Sequence, residues 1–407
     1  MTNPFENKNI LLGVTGSIAA YKAADLASKL TQAGALVDVI LTASALKFIS
    51  PLTFQSVTGR KAFTDDDLWG GEGHVTHVGL GQVGDLFIIA PATANTMARI
   101  AHGICDNLLC VAALAARCPL LIAPAMDAGM YDHPATQANV KLLRERGVSF
   151  VGPEPGHLAS GLVGLGRLTE PQDILGEARY ILSRGGPLAG RKIVVTAGGT
   201  QEPIDPVRMI TNRSSGKQGY ALAQAALDAG AEVTLITTPT HLRPPSGCQV
   251  VMTRTAAEML DAVLAHVDCD TLLMAAAPAD FTPAEQFPQK IKKSDKAPVI
   301  QLAFTTDILL KVAEHKEKYG YPRLTIGFAA ESQDLLINAR KKLEEKRLDM
   351  LVANDIAAAD SGFEVDTNRV VLLYADGQIQ ELPLMKKVEV ANTIIARIIE
   401  WIAKSRS

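Results

Sequence analysis

The stretch Arg191–Thr238, RKIVVTAGGTQEPIDPVRMITNRSSGKQGYALAQAALDAGAEVTLITT, decides the fold. Ile193 to Ala197 is a short apolar run of the kind a parallel strand covered on both faces requires. It breaks at Gly198-Gly199; a helix is expected from about Lys217 to Ala229 and a second strand from Glu232 to Thr237. Strand, glycine turn, helix and strand form a βαβ unit. The first amides of such a helix lack partners and carry the positive end of its dipole, so phosphate binds there. One feature departs from an ordinary dinucleotide fold. A long polar segment, Thr200–Ser214, separates turn from helix and carries Glu202, Asp205, Arg208, Asn212 and Arg213. Such a loop at the carboxyl end of a buried strand is a favoured place for chemistry.

Toward the N-terminus the same order recurs. Lys8–Val14 reads as a strand, Thr15-Gly16-Ser17 as a turn, Ile18–Gln32 as a helix stopped by Gly34, and Leu36–Leu41 as a second strand. Ser183–Gly190, SRGGPLAG, has linker composition, which predicts two domains, 1–190 and 191–407. In the first, later strands also end in small or polar residues. Ser44 follows Leu41, Leu86–Ala90 runs into Pro91-Ala92-Thr93-Ala94-Asn95, and Pro119–Ala123 runs into Pro124-Ala125-Met126-Asp127. This predicts an open sheet with a ligand across its carboxyl edge. The small side chains and the Asn and Thr groups at these strand ends suit a flat aromatic cofactor with a phosphate tail. His77 precedes a short helical segment and has the proton affinity of an acid or base. Pro153–Pro171, with glycines at 156, 161, 164 and 166, is expected to resist helix and strand alike and to be a surface connection or a mobile flap.

In the second half, Thr271–Ala276 reads as a strand ending at Asp280, a carboxylate that either caps a turn or holds Mg²⁺ through water. Lys290-Ile291-Lys292-Lys293 lies in a polar, proline-containing segment and is either solvated or able to close over a triphosphate. Thr325–Glu331, containing Phe328, and Val352–Asp355 are further strands; Lys342 and Lys346 stand one turn apart on a helix. A hairpin, Val370–Tyr374 with Ile379–Leu382, and a terminal amphipathic helix, Glu389–Ile402, complete an α/β chain of two doubly wound, mainly parallel sheets.

Composition excludes several classes. A net charge of −3 over 407 residues gives no electrostatic case for nucleic acid or a membrane surface. Five cysteines, an odd number, suit buried thiols in a reducing compartment better than a disulfide framework. No apolar run is long enough for a membrane span, and the polar opening MTNPFENKN predicts a cytoplasmic protein. There is no GxxxxGK[ST] P-loop and no GxGxxG with a ribose-binding acid at the right distance.

Taken together, the motifs resemble the bifunctional phosphopantothenoylcysteine decarboxylase and phosphopantothenate–cysteine ligase family of bacterial coenzyme A synthesis. TAGGTQEPIDPVRMITNRSSGKQG is the most specific match, supported in order by AAAPADF, KIKK, GFAAE and VANDI. GVTGSIAAYK, APATANTMARIAHGI and GLGRLTEP resemble the flavin-dependent cysteine decarboxylases. The resemblance implies a flavodoxin-like domain followed by a Rossmann-like ligase domain. It implies CTP, Mg²⁺, 4′-phosphopantothenate and cysteine as ligands of the ligase, with Asp280, Lys290, Thr306, Asp307, Ile308, Leu309, Phe328, Lys342 and Lys346 contacting CTP. Asn212 and Arg208 would serve the acyl-cytidylate. FMN would lie on Gly16, Ser17, Ser44, Thr93 and Asn95, with His77 at the decarboxylation site, in a homo-oligomer.

Two departures fall on chemistry. The family's PxMNxxMW motif reads Pro124-Ala125-Met126-Asp127-Ala128-Gly129-Met130-Tyr131, so Asp127 replaces an asparagine that binds the substrate carboxylate. Two nearby carboxylates repel unless one is protonated. The flap cysteine that returns a proton is replaced by Ser160, a far weaker acid than a thiol. These departures predict a slow or lost final reduction in the decarboxylase.

Overall fold

The computed structural model describes residues 3–69, 76–292, 298–331, 335–355 and 366–404. It divides into two compact units, Thr2–Ser183 and Arg184–Ser407. The segment read as a linker packs on the second unit: Leu188 is buried and its amide donates to the Ala229 carbonyl at 2.7 Å.

In the first unit, strands β1 (Asn9–Val14), β2 (Leu36–Leu41), β3 (Ala62–Phe63), β4 (Leu86–Ala92), β5 (Leu120–Pro124) and β6 (Ser149–Phe150) form one sheet. The order is β3-β2-β1-β4-β5-β6, and every pairing is parallel. Side chains alternate across a strand, so Ile10, Leu12 and Val14 pack on one face against helix α1 (Ala20–Gln32), while Leu11 packs on the other. Both faces are covered, which is why these strands read as continuous apolar runs rather than alternating ones. Helices α2 (Thr76–Val83), α3 (Ala94–His102) and α4 (Ala128–Asp132) follow, the last two starting directly after β4 and β5.

Pro153–Pro171 departs from its expectation. It forms an antiparallel hairpin, β7 (Glu154–His157) with β8 (Val163–Arg167), before helix α5 (Pro171–Ser183). Its glycines serve close packing rather than disorder. A Cβ at Gly166 would lie 2.2 Å from the Met126 carbonyl oxygen, and one at Gly164 would lie 2.6 Å from Ala128 Cβ. Glycine in a strand often marks such an approach.

In the second unit, β9 (Lys192–Ala197) leads into a hairpin, β10 (Gln201–Pro203) with β11 (Met209–Thr211), where a loop was expected. Helix α6 (Lys217–Asp228), β12 (Glu232–Thr237), β13 (Gln249–Met252), α7 (Ala256–Ala265) and β14 (Thr271–Met274) follow. A small hairpin, β15 (Phe281–Pro283) with β16 (Leu302–Phe304), precedes α8 (Ile308–Tyr319), β17 (Leu324–Glu331), α9 (Leu335–Glu345) and β18 (Met350–Asp355). The expected antiparallel hairpin, β19 (Val370–Tyr374) with β20 (Ile379–Glu381), and helix α10 (Lys387–Lys404) close the unit. The main sheet runs β13-β12-β9-β14-β17-β18-β19-β20, parallel except at its last two pairings. Among the described residues no helix is long and apolar enough to cross a membrane.

The start of α6 is pressed against β9. A Cβ on Gly219 would sit 2.6 Å from Ala197 Cβ and 2.8 Å from the Thr196 carbonyl oxygen. Gly219→Val is therefore expected to destabilise the second unit by about 1–3 kcal/mol through overpacking, measured by chemical denaturation against the parent protein.

Candidate active site

At the carboxyl edge of the second sheet, Gly198 adopts φ +85°, and a Cβ there would lie 2.1 Å from Thr238 Oγ1. Only glycine makes this turn without strain. The chain then docks on the next strand end. The Ala279 amide donates to the buried Thr200 hydroxyl at 2.8 Å, and Thr305 Oγ1 donates to the Ala279 carbonyl at 2.6 Å. Asn212 Nδ2 donates to the Pro278 carbonyl at 2.9 Å. These bonds bring three chain segments around one cavity of about 420 Å³.

Asn212, Asp280, Thr306, Asp307, Ile308, Leu309, Phe328, Lys342 and Lys346 all line that cavity. Asp307 is the N-cap of α8, its carboxylate accepting from the Leu310 amide at 3.1 Å, so residues 306–309 form a helix start. Lys346 pairs with the same carboxylate. The N-cap of α6 is Gly216, at φ +75°, which supplies no side chain to satisfy the first amides. A helix end of this kind attracts anions.

The cavity also contains residues not singled out from sequence. The buried side-chain oxygens of Asn354 and Asn368 have no hydrogen-bond partner among the described residues. Lys387, 6% exposed, lines the same wall. Burial, followed by the neighbouring Lys217 charge, pushes its amine below the usual lysine range. The Lys387 carbonyl accepts from Gln218 Nε2 at 3.3 Å, tying α10 to α6. Lys387 opens α10 at the unfavourable end of its dipole, two residues before the helix start expected from sequence, so no local pattern marked it.

Arg208 and Lys290 do not join the cavity wall. The Arg208 guanidinium pairs with buried Asp205 and also donates to the Ile291 carbonyl at 3.0 Å. Glu202, another member of the polar segment, is a structural anchor: its buried carboxylate accepts from the Ala256 amide at 2.8 Å.

In the first unit, Thr15 Oγ1 donates to the Pro91 carbonyl at 2.7 Å and accepts from the Thr93 amide at 3.1 Å, joining the ends of β1 and β4. A Cβ on Gly16 would sit 2.4 Å from Ser44 Cβ, which brings in the end of β2. Thr93 caps α3, and Asn95 Oδ1 accepts from Arg99 Nε at 3.4 Å. Gly16, Ser17, Ser44, Thr93 and Asn95 are thus gathered along one sheet edge. Ser17 also lines a cleft with Met126, Asp127 and Ser160, under the β7–β8 hairpin. His77 falls within α2, but its side chain lies outside the described residues.

The family model for the DNA/pantothenate metabolism flavoprotein C-terminal domain matches residues 188–402, and the Flavoprotein model matches residues 2–180. The coenzyme A biosynthesis bifunctional protein CoaBC of Bacillus subtilis (strain 168) is 46% identical over 396 residues, covering 96% of this chain and 97% of that protein. The chain belongs to the bifunctional coenzyme A biosynthesis family. A cysteine/cysteine sulfinic acid decarboxylase from an unknown prokaryotic organism is 44% identical, covering 86% of this chain and 99% of that protein. A solved C-terminal domain of CoaBC is 40% identical, with a TM-score of 0.46, and covers 54% of this chain and 100% of that structure. Family membership makes the chain a ligase and a decarboxylase, with a flavoprotein domain preceding the ligase domain.

Within that family frame, the two departures touch each other. Ser160 Oγ donates to Asp127 Oδ2 at 2.6 Å, across the gap between hairpin tip and sheet edge. The other Asp127 oxygen accepts from the Gly129 amide at 3.0 Å and caps α4. The hairpin stem is fixed as well, the Met126 amide donating to the Gly166 carbonyl at 3.0 Å. No group of three or more His, Cys, Asp or Glu side chains suited to a metal occurs among the described residues. The five cysteines are free thiols; burial pushes Cys110 up to about 11 and Cys269 up to about 12, which keeps both unreactive.

Gly166→Val has no room against the Met126 carbonyl and should unseat the hairpin. Decarboxylase turnover is expected to fall by roughly a hundredfold from misplacement of the site, with the ligase rate unchanged when the two reactions are assayed separately.

Proposed function

We propose that the second unit activates the carboxylate of 4′-phosphopantothenate with CTP, releasing pyrophosphate, and that the amine of cysteine then displaces CMP to form the amide. The observation carrying this reading is the one cavity in which Asp280, Thr306, Asp307, Ile308, Leu309, Phe328, Lys342 and Lys346 meet Asn212 and the start of α6. The start of α6 after Gly216 and the ammonium groups of Lys342 and Lys346 suit a polyphosphate. They would stabilise the negative charge that grows on pyrophosphate as it leaves. The partnerless oxygens of Asn354 and Asn368 suit hydroxyl or amine donors of the nucleotide or the acid. The carboxamide of Asn212 would turn from the Pro278 carbonyl to the acyl-cytidylate, with Arg208 beside it.

Mg²⁺ would arrive with the nucleotide phosphates, Asp280 being the carboxylate at the cavity wall suited to hold it through water. In this reading the nucleotide is CTP and the assembly is a homo-oligomer.

In the first unit, FMN would rest on Gly16, Ser17, Ser44, Thr93 and Asn95, where the cradle around Gly16 leaves no space for a side chain. When bound, FMN supplies the oxidation of the thiol end that eases loss of CO₂. The protein's part is to exclude water under the hairpin and to place Asp127, Ser160 and His77 at the substrate. The Ser160 hydroxyl is committed to Asp127 and is a poor proton donor, so return of the proton limits decarboxylation.

Protein supplied with 4′-phosphopantothenate, CTP, Mg²⁺ and cysteine, with products followed by mass, is expected to accumulate phosphopantothenoylcysteine before 4′-phosphopantetheine. Ser160→Cys combined with Asp127→Asn should shorten that lag; an unchanged lag removes these two residues as its cause. Lys346→Ala should lower ligase kcat/KM for CTP by roughly tenfold to a hundredfold, the value of one charge-assisted hydrogen bond. Absence of CTP-dependent amide formation in the parent protein would refute the ligase reading.

A further inference from the structure

Asp205 is the most heavily engaged carboxylate of the second unit that the ligase reading leaves without a role. Its side chain is fully buried at the tip of the β10–β11 hairpin, while its partner Arg208 remains 43% exposed. Oδ1 accepts from the Val207 amide at 2.8 Å and the Arg208 amide at 2.9 Å, which is all that a local turn requires. Oδ2 does something else. It accepts from Arg208 Nε at 2.9 Å, from Arg208 Nη2, and from the Ile291 amide at 3.1 Å, far away in sequence. Arg208 Nη2 then donates to the Ile291 carbonyl at 3.0 Å. Both polar groups of the Ile291 backbone are therefore held by one ion pair. A further bond supports the contact, the Phe287 amide donating to the Ile204 carbonyl at 2.9 Å.

Ile291 directly follows Lys290, whose side chain is exposed and is fixed by no regular secondary structure of its own. Segments without a helix or strand to hold them sample many backbone states, and holding each residue in one state costs conformational entropy. A clip on the adjacent peptide removes much of that freedom. We propose that Asp205 is a positioning residue for the ligase reaction, using the Arg208 guanidinium to grip the Ile291 peptide and so set where Lys290 stands. The inference rests on the reading that Lys290 serves the nucleotide.

The charge state suits the task. The Arg208 guanidinium, and then the amides around it, hold the Asp205 carboxyl well below the usual carboxylate range. A carboxyl depressed in the folded state keeps its contribution above its unfolded value near 4 and loses it only as pH falls through the lower folded value. The clip is consequently intact throughout neutral pH, and its effect on activity has no pH dependence between about 6 and 9.

The test is a double-mutant cycle on the full chain. Lys290→Gln, Asp205→Asn and the pair are compared by ligase kcat and by KM for cysteine. Asp205→Asn keeps the shape and removes the charge that Arg208 needs. It is expected to lower kcat roughly tenfold with KM for cysteine unchanged and with the same ratio across the pH range. In the presence of Lys290→Gln it should cost nothing further. Multiplying losses, or unchanged kinetics in Asp205→Asn, would overturn the proposal. Ile291→Pro removes the amide that Asp205 accepts, while also fixing the backbone at 291 and restricting that of Lys290, and gives a second arm if Asp205→Asn fails to fold. It too must be silent when Lys290 is already glutamine. Wild-type ligase activity in Lys290→Gln would instead strike at the reading of Lys290 itself, and the two failures are thereby distinguishable.

Discussion

The close backbone approach at Gly198-Gly199 is the constraint on which the ligase unit depends. Gly198 turns at φ +85° against Thr238, and a Cβ on Gly199 would lie 2.6 Å from the Asn212 carbonyl oxygen. With no side chains in the way, the chain leaves β9, runs out through the β10–β11 hairpin and returns to start α6 beside its own departure point. The same packing holds Gly219 against Ala197, so the open end of α6 faces the cavity. Replacing either glycine of the turn would separate segments whose proximity creates the site. A helix dipole acts only over the first turn, and its value depends on that placement.

Both units solve a common problem in different ways. A parallel sheet exposes its strand ends along one edge, and a ligand lying there needs a cover from elsewhere. The first unit uses the β7–β8 hairpin, seated through Gly164 and Gly166 and latched from Ser160 to Asp127. In the second, the wall is completed by Asn368 and Lys387, which arrive from the C-terminal part of the chain. With serine at 160 and aspartate at 127, a hydrogen bond spans the gap from hairpin tip to sheet edge. Hydroxyl and carboxylate are complementary where a thiol and an amide would not bond as well. The two departures are therefore a linked pair in structural terms, while their chemical effect falls on proton transfer.

The sequence by itself determined most strands of both sheets, the helices after the two glycine turns and the residues that end those strands; the edge strands β3, β6 and β13 left no such mark. Continuous apolar runs such as Leu86–Ala90 and periodic ones such as Lys217–Asp228 are local properties, and burial on both faces or on one side follows directly from them. Most of the nucleotide-site candidates were legible through the resemblance of their motifs to the family, and the fold gathers them at strand ends and helix starts. Tertiary structure decided what local pattern cannot encode. The glycines of Pro153–Pro171 looked like signs of irregular chain because their purpose, contact with the Met126 carbonyl and Ala128, lies on a distant segment. Thr200–Ser214 looked like a loop because its short hairpin pairs too few residues to leave a period in the sequence. Lys387 reaches the cavity through packing of α10 on α6, and Asn368 comes to it with its amide donating to Gln218 Oε1 at 3.2 Å. Arg208 and Lys290, both legible as functional residues, are joined through Asp205 and Ile291 by hydrogen bonds between segments that no spacing relates.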